Sequence, residues 1–130
     1  MTLPRVLIVD DDPSVLKSLE LLLSDDCEVQ CCSDPRRALD AARATVFDVI
    51  VTDYKMPHLT GGEFAAQLHR ELSPPPYCLL LTGTPDVIKP SMPGASELVM
   101  VLAKPFDPER LLRMVLQVGR LGMTRRGVGA

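Results

Sequence analysis

The feature of this sequence that most restricts its fold is the alternation of short apolar segments with longer amphipathic ones. The amphipathic segments place apolar residues three or four positions apart, as on one face of a helix. The predicted strands are residues 5–9, 28–32, 46–52, 77–81 and 98–102. The predicted helices are residues 13–24, 35–44, 61–72 and 108–121. Strands that alternate with helices predict an α/β fold, with a five-stranded parallel sheet and helices on both faces.

The segment between residues 84 and 97 interrupts this alternation. A helix is expected there, but the segment contains Pro85, Pro90 and Pro93. Proline inside a helix removes a hydrogen bond and clashes with the preceding turn. We therefore predict a fourth helix that is short or irregular, with a loop around residues 90–94.

Length and charge narrow the class of protein. A chain of 130 residues with 46% hydrophobic residues is long and apolar enough for one domain with its own core. We assign residues 1–122 to this domain and residues 123–130 to a flexible basic tail or the start of a linker. The net charge of −3 gives no general attraction to nucleic acid or to an anionic membrane.

The sequence lacks two features that would place the protein in a membrane or direct it to secretion. No apolar run approaches the length of a membrane span, and the first residues do not have the pattern of a signal peptide. The four cysteines contain no CxxC pair, so we interpret them as small apolar residues and not as a metal site or disulfides. These features predict a cytoplasmic protein that contacts neither membrane nor nucleic acid directly.

Carboxylates cluster where the predicted strands end. Asp10, Asp11 and Asp12 follow the first strand, and Asp53 follows the third. Ligands of open parallel sheets bind at the carboxyl ends of the strands. Converging carboxylates repel one another, so such a cluster indicates a bound cation. Oxygen ligands favour Mg²⁺, with Mn²⁺ as an alternative. For Asp12 alone, a role at the start of the first helix is the better interpretation.

Two more polar residues are expected at the same edge of the sheet. Thr82 ends the fourth strand, and Lys104 follows the fifth. A hydroxyl and an ammonium beside a metal ion are suited to an anion, and a phosphoryl group is commonly held in this way during its transfer. An aspartate carboxylate can attack phosphorus directly. These residues therefore suggest an aspartyl phosphate.

Four segments of the sequence resemble the signature segments of response-regulator receiver domains of two-component signal transduction. They are residues 6–12, 48–57, 80–83 and 102–106, and the resemblance extends from Arg5 to Leu121. It implies a flavodoxin-like sheet with strand order 2-1-3-4-5. It also implies that Asp53 is the phospho-acceptor.

The resemblance further implies roles for the other residues of the cluster. Asp11 would bind Mg²⁺ directly and Asp10 mostly through water, while Asp53 and the backbone carbonyl of Lys55 complete the protein ligands. Thr82 and Lys104 would each contact a phosphoryl oxygen, and Gly83 would leave room for the group. Pro105 would be a cis-proline.

By this resemblance the protein takes a phosphoryl group from a sensor histidine kinase or a phosphotransfer protein and then changes its partner contacts. It would be no enzyme beyond its own phosphorylation and dephosphorylation, either standing alone or forming part of a larger regulator or hybrid kinase. Val101 occupies the position where receivers usually carry an aromatic switch residue. We therefore expect the response to phosphorylation to follow another route.

The last predicted helix suggests a contact surface. Arg110, Arg113, Gln117 and Arg120 form one narrow polar stripe, and apolar residues fill more than half of the circumference. We expect a homodimer or effector contact with Leu112 or Met114 at its edge. The alternative is a leucine-rich helix whose surplus apolar surface is covered by the tail.

Three other functions were weighed. A haloacid-dehalogenase-type phosphatase shares the spacing of Asp10 and Asp12, but it needs a cap domain for which this chain is too short. A flavodoxin needs a phosphate-binding loop where this chain has three repelling aspartates. A degenerate receiver that acts only as an interaction module is disfavoured by the complete set of acidic residues.

Overall fold

The computed structural model describes residues 2–83 and 98–127, which form five strands and four helices. The strands are β1 (Arg5–Val9), β2 (Glu28–Cys32), β3 (Val49–Asp53), β4 (Tyr77–Thr82) and β5 (Val99–Ala103). The helices are α1 (Pro13–Leu23), α2 (Pro35–Ala44), α3 (Gly61–Glu71) and α4 (Pro108–Arg125). The strands pair in parallel in the order β2-β1-β3-β4-β5, which confirms the predicted flavodoxin-like sheet.

The sheet is covered on both faces, and this explains its uninterrupted apolar strands. In β1, Val6 and Ile8 face a core formed with α1 and α4, while Leu7 and Val9 face a second core formed with α2 and α3. All four side chains are fully buried. Strands buried on both sides read as continuous apolar runs without alternation.

Side chains that cap the first turn mark where each helix begins. The side chains of Asp12, Asp34 and Asp107 accept hydrogen bonds from the second residue of α1, α2 and α4, as the sequence predicted. Thr60 and Glu63 form a reciprocal capping box at the start of α3.

The start of β3 differs from the sequence-based prediction. The strand begins at Val49 and not at Val46, whose side chain is 48% exposed. Phe47 is buried against α2 and α3 from a loop, so an apolar side chain there does not signal a strand. Apart from the end of the last helix, the other predicted ends agree with the structure or differ by one residue, a normal uncertainty for such assignments.

The last helix is longer than predicted and is packed to its end. It runs to Arg125 and not to Leu121, and Met123 is buried. Gly119 and Gly122 let it approach the sheet closely, because a Cβ at these positions would lie 2.9 Å from the Pro4 Cβ and 2.8 Å from the Asp48 Cβ. Residues 123–126, assigned by sequence to a flexible tail, therefore belong to the helix and its cap. The extent of the domain as residues 1–122 stays a prediction.

Two predicted segments extend beyond the described residues. The short or irregular helix expected between residues 84 and 97 lies outside the described residues, as do residues 128–130 of the tail. No helix in the described ranges is both long and apolar enough to cross a membrane.

The cysteines are free thiols, as expected. Cys27 and Cys78 are buried, and Cys31 lies partly buried against α1. Burial raises the pKa of Cys27 and Cys31 to about 11 and that of Cys78 to about 12. These thiols therefore stay protonated at neutral pH.

Candidate phosphoryl-transfer site

The pairing of the strands brings the predicted site residues to one edge of the sheet. Val9 pairs with Thr52, so Asp10 and Asp53 follow neighbouring positions. Thr82 pairs with Ala103, the residue before Lys104. The amide of Lys104 also donates to the carbonyl of Thr82 at 2.7 Å. Four strands thus contribute to a single polar edge.

Three carboxylates converge at this edge. One carboxylate oxygen from each of Asp10, Asp11 and Asp53 lies within 4.8 Å of the others. Asp10 is 2% exposed, and burial is the main cause that raises its pKa. The neighbouring negative charge of Asp53 raises it further. The cluster therefore disfavours full ionisation in the absence of a compensating cation.

The bonding of Asp10 fits a divalent cation at this cluster. Its Oδ1 accepts a hydrogen bond from the amide of Asp12 at 2.9 Å, but its Oδ2 is buried and has no hydrogen-bond partner. A buried carboxylate oxygen without a partner is costly, and an ion would satisfy it. Oxygen-only donors match the preference of Mg²⁺ or Mn²⁺. Asp12 is not part of the cluster, because its carboxylate caps α1.

A lysine contacts the central carboxylate. Lys104 Nζ lies 2.7 Å from Asp53 Oδ1, and the Asp53 side chain is 14% exposed. The Lys104–Pro105 peptide is cis, as expected. Thr82 is buried at the same edge, and a Cβ at Gly83 would have no atom of the described residues within 4 Å. The Asp53 carboxylate is therefore partly accessible to solvent and lies beside a cation.

Two residues that contact the Asp53 backbone were not among the site residues predicted from the sequence. Thr52 Oγ1 donates to the carbonyl of Asp53 at 3.0 Å, and Gly61 packs against that same carbonyl. The available signal was the pair of glycines that opens α3, because glycine is a poor helix former and needs a reason to be there.

Comparison with known proteins agrees with this geometry. Residues 6–116 match the family model described as the response regulator receiver domain.

The chain belongs to this family.

The receiver is similar in sequence to several transcriptional regulatory proteins. It is 35% identical to the transcriptional regulatory protein FixJ of Bradyrhizobium diazoefficiens, over 85% of the chain and 54% of FixJ. It is 37% identical to the transcriptional regulatory protein PrrA of Mycobacterium leprae, over 98% of the chain and 53% of PrrA. The receiver spans between 21% and 54% of the length of such curated relatives.

A solved structure shares both the fold and substantial sequence. The chemotaxis response regulator CheY4 of Vibrio cholerae superposes with a TM-score of 0.76 at 36% identity. The match covers 90% of the receiver and 99% of that chain. Receiver domains are signalling modules that interact with histidine kinases or phosphotransfer proteins and bind Mg²⁺ through an acidic pocket. The family assignment therefore favours a receiver over a phosphatase or a flavodoxin.

The remaining predicted residues lie outside the carboxylate cluster. Lys55 is exposed, two residues after Asp53. Val101 is 36% exposed on β5. On α4, Leu112 and Met114 are half-buried against the α1–α4 core, while Leu121 is 50% exposed. The exposed apolar surface on α4 thus lies nearer its end than the sequence suggested.

Proposed function

We propose that this receiver accepts a phosphoryl group on Asp53 from the phosphohistidine of a sensor histidine kinase or a phosphotransfer protein. The observation that supports this most directly is the setting of the Asp53 carboxylate. It lies between the ammonium of Lys104 and a carboxylate pair in which a buried oxygen of Asp10 has no partner. The proposed nucleophile Asp53, the cation Lys104 and the proposed metal ligands therefore lie together at one edge of the sheet.

The reaction proposed at this edge is a direct displacement. One oxygen of the Asp53 carboxylate attacks phosphorus, a P–O bond forms, and the P–N bond of the donor breaks. The departing imidazole keeps the electron pair of that bond and takes a proton from solvent. Lys104 then moves its hydrogen bond from the carboxylate to a phosphoryl oxygen, and the Thr82 hydroxyl donates to another. The group is proposed to lie beside Gly83, where an added Cβ would meet no atom of the described residues within 4 Å.

Asp10, Asp11, Asp53 and the backbone carbonyl of Lys55 are the proposed ligands of Mg²⁺, with Mn²⁺ as the alternative ion. When bound, the ion neutralises charge on the carboxylates and on the transferring phosphoryl oxygens. The receiver catalyses nothing beyond its own phosphorylation and dephosphorylation in this proposal.

Phosphorylation is proposed to change partner contacts in the cytoplasm, without direct binding to nucleic acid or membrane. The contact surface includes α4, where Leu121 is half-exposed, and serves a second copy or an effector. Val101 cannot act as an aromatic switch, so the change is proposed to begin at Thr82 and Lys104.

The test is phosphoryl uptake from acetyl phosphate with Mg²⁺, followed by mass spectrometry of the intact protein. Wild type is expected to gain one phosphoryl group, and Asp53→Asn none. Asp12→Asn is the matched control, because asparagine keeps the cap of α1 and lies outside the carboxylate cluster. Uptake by Asp53→Asn would refute the assignment. A folded wild type that takes up nothing would instead support the degenerate receiver.

A further inference from the structure

The first residue of α3 lies against the backbone of the proposed phosphorylation site. A Cβ on Gly61 would be 2.7 Å from the carbonyl oxygen of Asp53 and 3.1 Å from the Cα of Tyr54. A contact below 3.0 Å forces some atom to move. The nearest atom here belongs to the backbone of a central strand, which cannot rotate away as a flexible side chain could. Only glycine allows α3 to begin this close to β3.

The Asp53 carbonyl is also held by a neighbouring side chain. Thr52 is 1% exposed, and its hydroxyl donates to this carbonyl at 3.0 Å while lying 3.6 Å from Met56 Sδ. Gly61 and Thr52 therefore fix one peptide unit between them.

The turn that follows Asp53 is fixed at both ends. The amide of Tyr54 donates to the carbonyl of Leu81 on β4 at 2.9 Å, and the amide of Gly61 donates to the carbonyl of Tyr54 at 2.8 Å. Lys55, whose carbonyl is a proposed metal ligand, lies inside this turn. A displacement at Gly61 would thus reach both the Asp53 carboxylate and the Lys55 carbonyl.

We propose that Gly61 is a positioning residue for the metal and phosphoryl site, acting through the backbone of Asp53 and the turn after it. This inference rests on the proposed function and deepens it. Mg²⁺ requires nearly ideal octahedral geometry at about 2.0–2.1 Å, so a shift of a few tenths of an ångström in a ligand-bearing peptide weakens binding. The competing explanation is that Gly61 serves only to pack α3.

A matched pair of glycines separates positioning from packing. Gly122 on α4 is equally crowded, because a Cβ there would lie 2.8 Å from the Asp48 Cβ and 2.9 Å from its carbonyl oxygen. It contacts the opposite end of β3, far from the carboxylate cluster. Gly61→Ala and Gly122→Ala therefore introduce similar clashes on the same strand, only one of them beside the site.

The experiment measures the Mg²⁺ dissociation constant by calorimetry and the unfolding midpoint for wild type and both variants. Both variants are expected to lose stability. Gly61→Ala is expected to bind Mg²⁺ about 10-fold to 100-fold more weakly, the usual consequence of disturbing the support of a metal ligand. Gly122→Ala is expected to change Mg²⁺ affinity by less than about twofold, since distant sites act independently.

Thr52→Val provides a second measurement that introduces no clash. It removes the hydroxyl that holds the Asp53 carbonyl and is expected to weaken Mg²⁺ binding in the same direction. If Gly61→Ala does not fold, unaltered Mg²⁺ affinity in Thr52→Val overturns the inference. Equal affinity in wild type and a folded Gly61→Ala also overturns it, and leaves the proposed function intact. Failure of wild type to bind Mg²⁺ or take up phosphate would instead count against the proposed function.

Discussion

The two ends of β3 each carry an aspartate paired with a cation, yet the two carboxylates are bonded very differently. Asp48, just before the strand, is fully buried and accepts hydrogen bonds from the Arg5 amide at 2.8 Å and from two Arg126 nitrogens at 2.7 and 3.0 Å. Asp53, at the other end, has one ion pair with Lys104 and shares its edge of the sheet with two more carboxylates.

The difference illustrates how an aspartate can stabilise the fold at one end of a strand and, in the proposed function, take part in chemistry at the other. Both oxygens of the buried Asp48 carboxylate accept hydrogen bonds, so this carboxylate is already stabilised without a ligand. Among the described residues, the Asp53 carboxylate has one cationic partner and lies beside two further carboxylates, and a cation can relieve this excess of negative charge. Satisfaction of hydrogen bonds, more than charge, distinguishes the two roles.

The largest effect expected from this comparison is on stability at the Asp48 end. Arg126→Gln leaves a buried carboxylate without its cation, and such a loss costs about 3–5 kcal/mol of unfolding free energy. Arg120→Gln, on the exposed side of the same helix, is expected to cost less than about 0.5 kcal/mol. Denaturant unfolding measures both. Similar losses in the two variants would contradict the structural role of the Asp48 pair.

The next effect concerns the metal at the Asp53 end. Without Mg²⁺, Asp11→Ala is expected to unfold at a higher denaturant concentration than wild type, because the remaining carboxylates repel less. At a Mg²⁺ concentration 100-fold above its dissociation constant, wild type gains about 2.7 kcal/mol and the order reverses. Unfolding of both proteins with EDTA and with Mg²⁺ tests this. No reversal would mean that Asp11 is not a ligand.

The smallest effect is a pH dependence at the Asp48 end of the sheet, where His69 lies. His69 Nε2 lies 3.1 Å from the Pro76 carbonyl, and its buried Nδ1 has no hydrogen-bond partner. Burial lowers the pKa of His69 below 6.5, and Arg125 lowers it further. The fold therefore favours neutral imidazole, so this stabilisation is complete above the ordinary pKa and is lost as pH falls through the folded value.

Unfolding free energies of wild type and His69→Gln measure this dependence. Below a pH of about 6.5 the unfolded chain binds more protons at His69 than the folded chain, and wild type is expected to lose stability faster than the variant. His58→Gln is the control, because His58 is exposed. Parallel curves for wild type and His69→Gln would show that His69 binds protons equally in the folded and unfolded states, so that folding does not lower its pKa.

Much of the site could be predicted from sequence, because strand ends and side-chain chemistry are local properties. Apolar runs located the strands, and parallel order then placed Asp10, Asp53, Thr82 and Lys104 at one edge. The cap residues Asp34 and Asp107 were also found from local pattern alone. The roles of Asp10, Asp53, Thr82 and Lys104 in metal binding and phosphoryl transfer stay predictions.

What the sequence could not predict depends on partners distant along the chain. Arg126 lies in a basic, glycine-rich segment that resembles a mobile tail, and its partner Asp48 is 78 residues away. Arg125 likewise donates to the carbonyl of Pro75 at 2.9 Å and lies 5.3 Å from the ring centre of Tyr77. The pair of glycines that opens α3 signals a special requirement there, but its cause, the close approach of Gly61 to the Asp53 backbone, depends on tertiary structure.

The Arg126–Asp48 pair also has a consequence for the order of events during synthesis. At about 5–20 residues per second, a ribosome adds Arg126 about 4–16 s after Asp48. Until then the Asp48 carboxylate has no guanidinium, and burying it costs several kcal/mol. We therefore expect the Asp48 end of β3 to become buried late, when α4 emerges from the ribosome and packs against the sheet. Strand β3 of the nascent receiver is thus expected to stay incompletely buried for seconds, within reach of chaperones and of neighbouring nascent chains.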